Sequence, residues 1–216
     1  FPGLGAGERG TGSKEAARRF ESWLDGALAR EGLAGGALEV SDVSGGVELV
    51  AGRAFREGEV VFRAPADYFL STATAAGPGL QRSLQGLLPD GQAGARGVLS
   101  LAVTLAAQLR IRSPHWRPLL DMLPDPVSVP NLLEWPRGPV LHGLSGHEEW
   151  LAADEADSAR VAAALGVDAG SARYAFMMVQ SRAARCQGEV VLHPTVTLMN
   201  HAGESANTAV NRDCSL

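Results

Sequence analysis

Asn200 and His201 stand side by side at the end of a hydrophobic run, Leu198-Met199-Asn200-His201. An amide and an imidazole are costly among apolar neighbours unless their polar atoms find partners. The pair is therefore read as facing a ligand. Upstream, an apolar helix is expected to end at Ser181-Arg182, and a short β-branched run, Gly188 to Pro194, follows it. Near the start of the chain, Gly45-Gly46-Val47 turns into a strand. Paired glycines let backbone approach a ligand closely, although by themselves they read as a hairpin turn.

Other constellations fall short of chemistry. Gly5 to Gly10 matches G-x-G-x-x-G, but only four residues precede it, too few for the strand that pattern needs. Gly7 to Lys14 nearly spells a P-loop, but Ser13 separates Gly12 from Lys14. Gly143-Leu144-Ser145-Gly146-His147 lacks the closing glycine of a nucleophile elbow. Cys186, His193, His201 and Cys214 are zinc-ligand types, yet their intervals match no familiar zinc spacing, so no metal is expected. His115, His142 and His147 read as surface or capping histidines.

Stepping from these residues to their frame, 216 residues allow one large domain with its own core. No apolar run reaches spanning length, so no membrane partner is expected. A net charge of −5 speaks against a nucleic-acid partner. Two cysteines cannot build a disulfide framework, which fits a reducing compartment. Residues 1–13 are Gly-rich and read as a flexible lead-in, either a tail or the stub of a targeting segment. The start at Phe1 rather than Met reads as a processed or partial sequence.

Ser13 is placed to cap a helix reaching about Arg30, with Phe20, Trp23, Leu24, Ala27 and Leu28 on one buried stripe and Gly32 as its stop. From Leu38 the period becomes strand-like. Strands are expected at Leu38–Val40, after the turn to Ala51, and at Glu59–Arg63, with Gly58 in a tight turn. Residues 71–96 give a weak signal. Helices are then expected over Val98–Arg112, between Pro114 and Pro124, from Ser145 toward Leu165, and from a cap at Asp168 or Ser171 to Ser181.

In that order the features resemble the SET-domain methyltransferases, in the branch that includes the Rubisco large-subunit lysine methyltransferases, the yeast ribosomal-protein lysine methyltransferases and the actin-histidine methyltransferase. Five segments carry the resemblance. They are Phe20-Glu21-Ser22-Trp23-Leu24, the stretch Glu48 to Val61, Trp116 to Pro124, Val179-Gln180-Ser181-Arg182, and Pro194 to Asn200-His201. Each is weak alone; their order and spacing over residues 20–201 make the signal.

The resemblance implies an α+β fold, the SET β-fold of small curved sheets with a pseudoknot and a helical insertion. It divides residues 14–216 into an N-terminal β half (37–66), the helical insertion (about 70–180) and a C-terminal SET segment (181–216). It implies S-adenosyl-L-methionine as cofactor, contacted by Gly45, Gly46 and Val47 near the methionine part, by Arg182, and by Asn200 and His201 on the adenine and ribose side. It implies methyl transfer to a lysine of a protein substrate, with a histidine acceptor kept open, by a monomer in the chloroplast or cytoplasm.

Three departures accompany the resemblance. Glu48 stands where relatives carry a second glycine, a burden if that backbone needs φ > 0. Thr197 stands where they carry an Asp at the substrate end. The sequence ends at Leu216, before the relatives' region with the catalytic Tyr, and Tyr68 and Tyr174 are wrongly placed to replace it. The catalytic residue is therefore unknown, the C-terminal SET segment is expected to be incomplete, and apolar surface is expected near Leu216. The alternative is a non-catalytic SET-like module that binds a protein partner.

Overall fold

Helix α1 (Arg9–Arg30) buries the predicted stripe: Phe20, Leu24, Ala27 and Leu28 are covered and Trp23 is half-buried. The computed structural model describes residues 9–43, 46–87, 93–124, 147–199, 209–211 and 214–216. The helix starts at Arg9, so residues 9–13 belong to it rather than to a lead-in, and Ser13 lies inside it instead of capping it. A serine inside a helix costs only a fraction of a kcal/mol, about 0.5, so the capping signal does not bind the start. The stop is as expected. Gly32 takes φ +70°, and Leu33 N–H reaches back to Leu28 O at 2.9 Å, the closing bond of a left-handed C-cap.

Strands β1 (Leu38–Val43) and β2 (Gly46–Ala51) pair antiparallel, Leu38 opposite Ala51 and Val43 opposite Gly46. The expected strand Glu59–Arg63 belongs to neither sheet. Its backbone bonds instead go to Leu216: Phe62 N–H donates to Leu216 O at 3.2 Å, and Leu216 N–H to Phe62 O at 2.8 Å. Among the described residues only Leu216 pairs with it, which is a local pairing and no ladder. Leu216 is buried there, against the expectation of exposed apolar surface at that point, while Val210 is 41% exposed.

The middle of the chain is helical: α2 (Thr72–Ala75), α3 (Pro78–Leu87), α4 (Ala93–Ile111), α5 (Arg117–Leu120), α6 (His147–Leu165) and α7 (Ala169–Arg182). Residues 71–96, weak in sequence, thus supply two helices and the start of a third. Ser71 caps α2, its Oγ accepting from Thr74 N–H at 3.2 Å while Thr74 Oγ1 accepts from Ser71 N–H at 3.0 Å. Asp168 is the cap of α7, its carboxylate accepting from Ser171 N–H at 2.9 Å. Asp121, just after α5, faces Arg19 at 3.1 Å and so ties this segment to α1.

Helix α4 is the axis of the helical block. Leu101, Ala102, Val103 and Leu105 on consecutive faces are fully buried, because α6 and α7 cover one side and α2 and α3 another. Strands β3 (Ala184–Cys186) and β4 (Glu189–Val191) form a second antiparallel hairpin, with both turn residues, Gln187 and Gly188, at positive φ. β4 packs on α4 where Gly97 leaves room: a Cβ there would lie 2.6 Å from Val190 Cγ2. An isolated bridge joins Leu70 to Leu192, with bonds of 3.2 and 2.9 Å. Helices between two small antiparallel sheets make the fold α+β. Among the described residues no helix is long and apolar enough to cross a membrane.

Candidate functional site

After β4 the chain must turn back without a ladder to satisfy its backbone, and side chains do that work. His193 is fully buried between Phe62 and Phe69, ring centroids 5.8 and 4.9 Å away. Its Nδ1 accepts from Thr195 N–H at 3.2 Å and from the Thr195 hydroxyl at 3.0 Å, and lies 3.4 Å from Val196 N. That leaves the ring proton on Nε2, which donates to Cys214 O at 3.0 Å. Burial pushes the imidazole down to about 4, against the opposing pull of the Cys214 carbonyl. One neutral ring therefore joins the turn after Pro194 to the segment 214–216.

The turn is a single 3-10 turn, Val196–Leu198, with Thr197 N–H bonded to His193 O at 3.1 Å and Met199 N–H to Thr195 O at 3.1 Å. Thr197 is fully buried. Its hydroxyl has no hydrogen-bond partner among the described residues, and its carbonyl accepts from Arg182 Nη1. Arg182 is the last residue of α7, half-buried, and desolvation lowers its guanidinium from the ordinary arginine value, opposed by Tyr174. No carboxylate pairs with Arg182 among the described residues. On its other side the turn lies beside β2, with Cα atoms within 8 Å.

The structure thus brings together three pieces that the sequence placed far apart: β2, which begins with Gly46 and Val47, the end of α7 with Arg182, and the turn holding Thr197. Arg182 and Thr197 touch directly, through the threonine carbonyl rather than its hydroxyl. Gly45, Asn200 and His201 lie outside the described residues, which reach Met199 on one side and Gly46 on the other. Glu48 is in regular strand opposite Ser41 and is not among the residues with positive φ, so the strain feared for it does not arise.

Tyr68 and Tyr174 are structural. The Tyr68 ring lies 4.9 Å from Trp23 and 5.6 Å from His115, and Tyr174 donates to Pro124 O at 2.7 Å. His115 binds Asp67 O at 2.7 Å. Three of the four residues weighed as zinc ligands do converge: Cys186 and Cys214 share a small buried cluster, and His193 meets Cys214. Both nitrogens of His193 are engaged, however, which leaves no lone pair for a metal. His193 organises this turn, and the sequence holds a sign of it. An imidazole following Val190-Val191-Leu192 carries the same signal that singled out Asn200 and His201.

No protein-family model matches the sequence, and no curated protein matches it. The fold does have solved counterparts. The structure of Rubisco LSMT bound to AdoMet aligns with a TM-score of 0.65 at 18% identity, over 89% of this chain and 46% of that one. The SET domain of LSMT bound to MeLysine and AdoHcy aligns with a TM-score of 0.66 at 20% identity, again over 89% of this chain and 46% of that one. The same domain bound to lysine and AdoHcy gives 0.65 at 19%. The chain spans just under half the length of these structures, and it has their SET-domain fold.

Proposed function

We propose that this chain carries the cofactor-binding part of an S-adenosyl-L-methionine-dependent protein-lysine N-methyltransferase. The observation that carries the reading is the junction of Arg182, the turn 196–198 and β2. It supports a cleft bordered by the glycine hairpin on one side and by the approach to Asn200 and His201 on the other. The solved structures of this fold were bound to AdoMet, or to AdoHcy with lysine or methyl-lysine.

The residues present suit that cofactor. A half-buried guanidinium without a carboxylate partner among the described residues favours a ligand that brings its own carboxylate, as S-adenosylmethionine does. Gly45 and Gly46 carry no side chain to keep backbone from the methionine part. Asn200 and His201 take the adenine and ribose side. When bound, S-adenosylmethionine supplies the methyl group on its sulfonium. Arg182 fixes the turn by gripping the Thr197 carbonyl and neutralises the ligand's carboxylate. Buried Thr197 and His193 exclude water and set where the segment toward Asn200 begins, so their part is alignment and desolvation. The acceptor is a lysine of a protein substrate, which a dry channel keeps neutral. The protein acts as a monomer in the chloroplast or cytoplasm, without nucleic-acid or membrane partners.

Titration calorimetry with S-adenosylmethionine tests this. The chain should bind it, and Arg182→Ala should weaken binding at least about tenfold, as expected for a lost charge-assisted contact. A folded chain with no detectable heat at millimolar cofactor overturns the reading. Full burial of Thr197, at the position given to the substrate end, favours one rival: a SET-like module that binds a protein partner without turning it over. Radiolabelled methyl transfer to extract protein separates the two.

A further inference from the structure

The two cysteines of the chain are far apart in sequence, yet they meet. Cys186 at the end of β3 and Cys214 form, with Val191, a buried cluster of their own, with Phe69 packed against it. Both are free thiols in this structure. The position of Cys214 is held from both sides of its own backbone. Its N–H bonds to Asn211 O at 2.9 Å, its carbonyl takes the His193 Nε2 proton at 3.0 Å, and its φ is +66°. A non-glycine residue in the left-handed region is uncommon and persists where surrounding contacts fix it. Cys186 and Cys214 thus lie side by side in that cluster, both side chains buried.

We propose that Cys186 and Cys214 are a redox modification site, a dithiol that a small-molecule disulfide converts to an intrachain disulfide. The exchange balances as two steps. One cysteine thiolate attacks a sulfur of the small disulfide, forming a mixed disulfide and releasing one small thiolate. The second cysteine thiolate then attacks the protein sulfur of that mixed disulfide. The Cys186–Cys214 bond forms, and the second small thiolate leaves. Both protons of the dithiol end on the two small thiols, and the small disulfide takes up the two electrons.

The closed pair resists this reaction. Burial, with the Cys214 contact, pushes the Cys186 thiol up to about 12, so little thiolate exists in the closed form. Oxidation requires segment 214–216 to lift from Phe62 and His193, and it proceeds at the rate of that opening. A zinc role is a poorer fit: it needs more ligands, and no cluster of three His, Cys, Asp or Glu residues suited to a metal occurs among the described residues. Once formed, the bridge closes the loop that contains Asn200 and His201 and pins the C-terminal segment to the β3–β4 hairpin.

The test exposes the native chain to oxidised glutathione and reads intact mass and free-thiol count. The expected product is a monomer lighter by two hydrogens, with no titratable thiol, reversible by dithiothreitol. Its Tm should exceed that of the reduced form by roughly 6–12 °C, the size expected when a loop of this length is closed in a domain of this size. Cys214→Ser should instead stop at a single glutathione adduct on Cys186 or not react. Thiols that stay at two while the fold is intact, glutathione on both cysteines, or a bridge that forms only between chains would each overturn the proposal. None of these readouts depends on cofactor binding.

Discussion

The helical block and the C-terminal clasp sit side by side, and they are held by different forces. Around α4 the contacts are apolar: Leu101, Val103, Leu105, Met177 and Met178 are all fully or almost fully covered. Around residues 192–199 and 214–216 Leu192, Leu198 and Leu216 join the same apolar core, but a handful of polar contacts adds to the hold: His193 to Cys214, His193 to Thr195, Arg182 to Thr197, and Leu216 to Phe62. Apolar packing is graded, since each lost methylene costs its share. A buried hydrogen-bonded ring is conditional: it holds only while its protonation state is right. The part of the chain that supports the proposed site is the conditional one.

The largest effect should come from the graded region. Leu105→Ala removes a fully buried side chain where α6 and α7 cannot both close in, and should cost about 3–5 kcal/mol in urea unfolding. A loss under about 1 kcal/mol would mean that α4 is not the axis of the block.

Acid should act on the clasp at a similar scale. The folded His193 value of about 4 lies below the ordinary 6.5, so folding favours the neutral ring. Its contribution is complete above pH 6.5 and falls as pH drops through the window from 6.5 to about 4. By linkage this amounts to about 3 kcal/mol. Urea midpoints at pH 7 and pH 4.5 measure it. In His193→Leu the slope in that window should flatten even if the starting stability is lower, and an unchanged slope would assign the acid sensitivity elsewhere.

Gly97→Ala probes the seam between the two regions. The added methyl meets a short, stiff branch of Val190, and about 1–3 kcal/mol should be lost as β4 is pushed from α4. Asp168→Ala should have the smallest effect, about 1 kcal/mol, by uncapping α7 at the end far from Arg182. Cofactor binding should survive that change; a large loss would couple the two ends of α7 more tightly than a lost cap explains.

The same contrast decided what was legible in the sequence. Period and caps marked α1, α4, the Asp168 cap and the β1–β2 hairpin, because each is dictated by residues close in sequence. Residues 71–96 were obscured: their alanines, serines and glycines carry little hydrophobic contrast, although Ser71 and Pro78 are sound start signals. Glu59–Arg63 had the composition of a strand, but strand pairing depends on a distant partner, here Leu216. For the site, the family resemblance pointed to Arg182 and Thr197, and only the fold joins them. His193 was weighed only as a zinc ligand, because most of its partners are backbone groups, a carbonyl and amides, which have no letter in the sequence.

The bridge between Leu70 and Leu192 has an evolutionary corollary. The chain leaves and re-enters at hydrogen-bonded neighbours, so everything from residue 71 to 191 is an excursion whose two feet are already joined. Lengthening such an excursion is cheap, about 0.6 kcal/mol of closure entropy for each doubling. Relatives can therefore gain or shed turns on its outer rim, and acquire new recognition surfaces there, without moving the ground on which the feet stand.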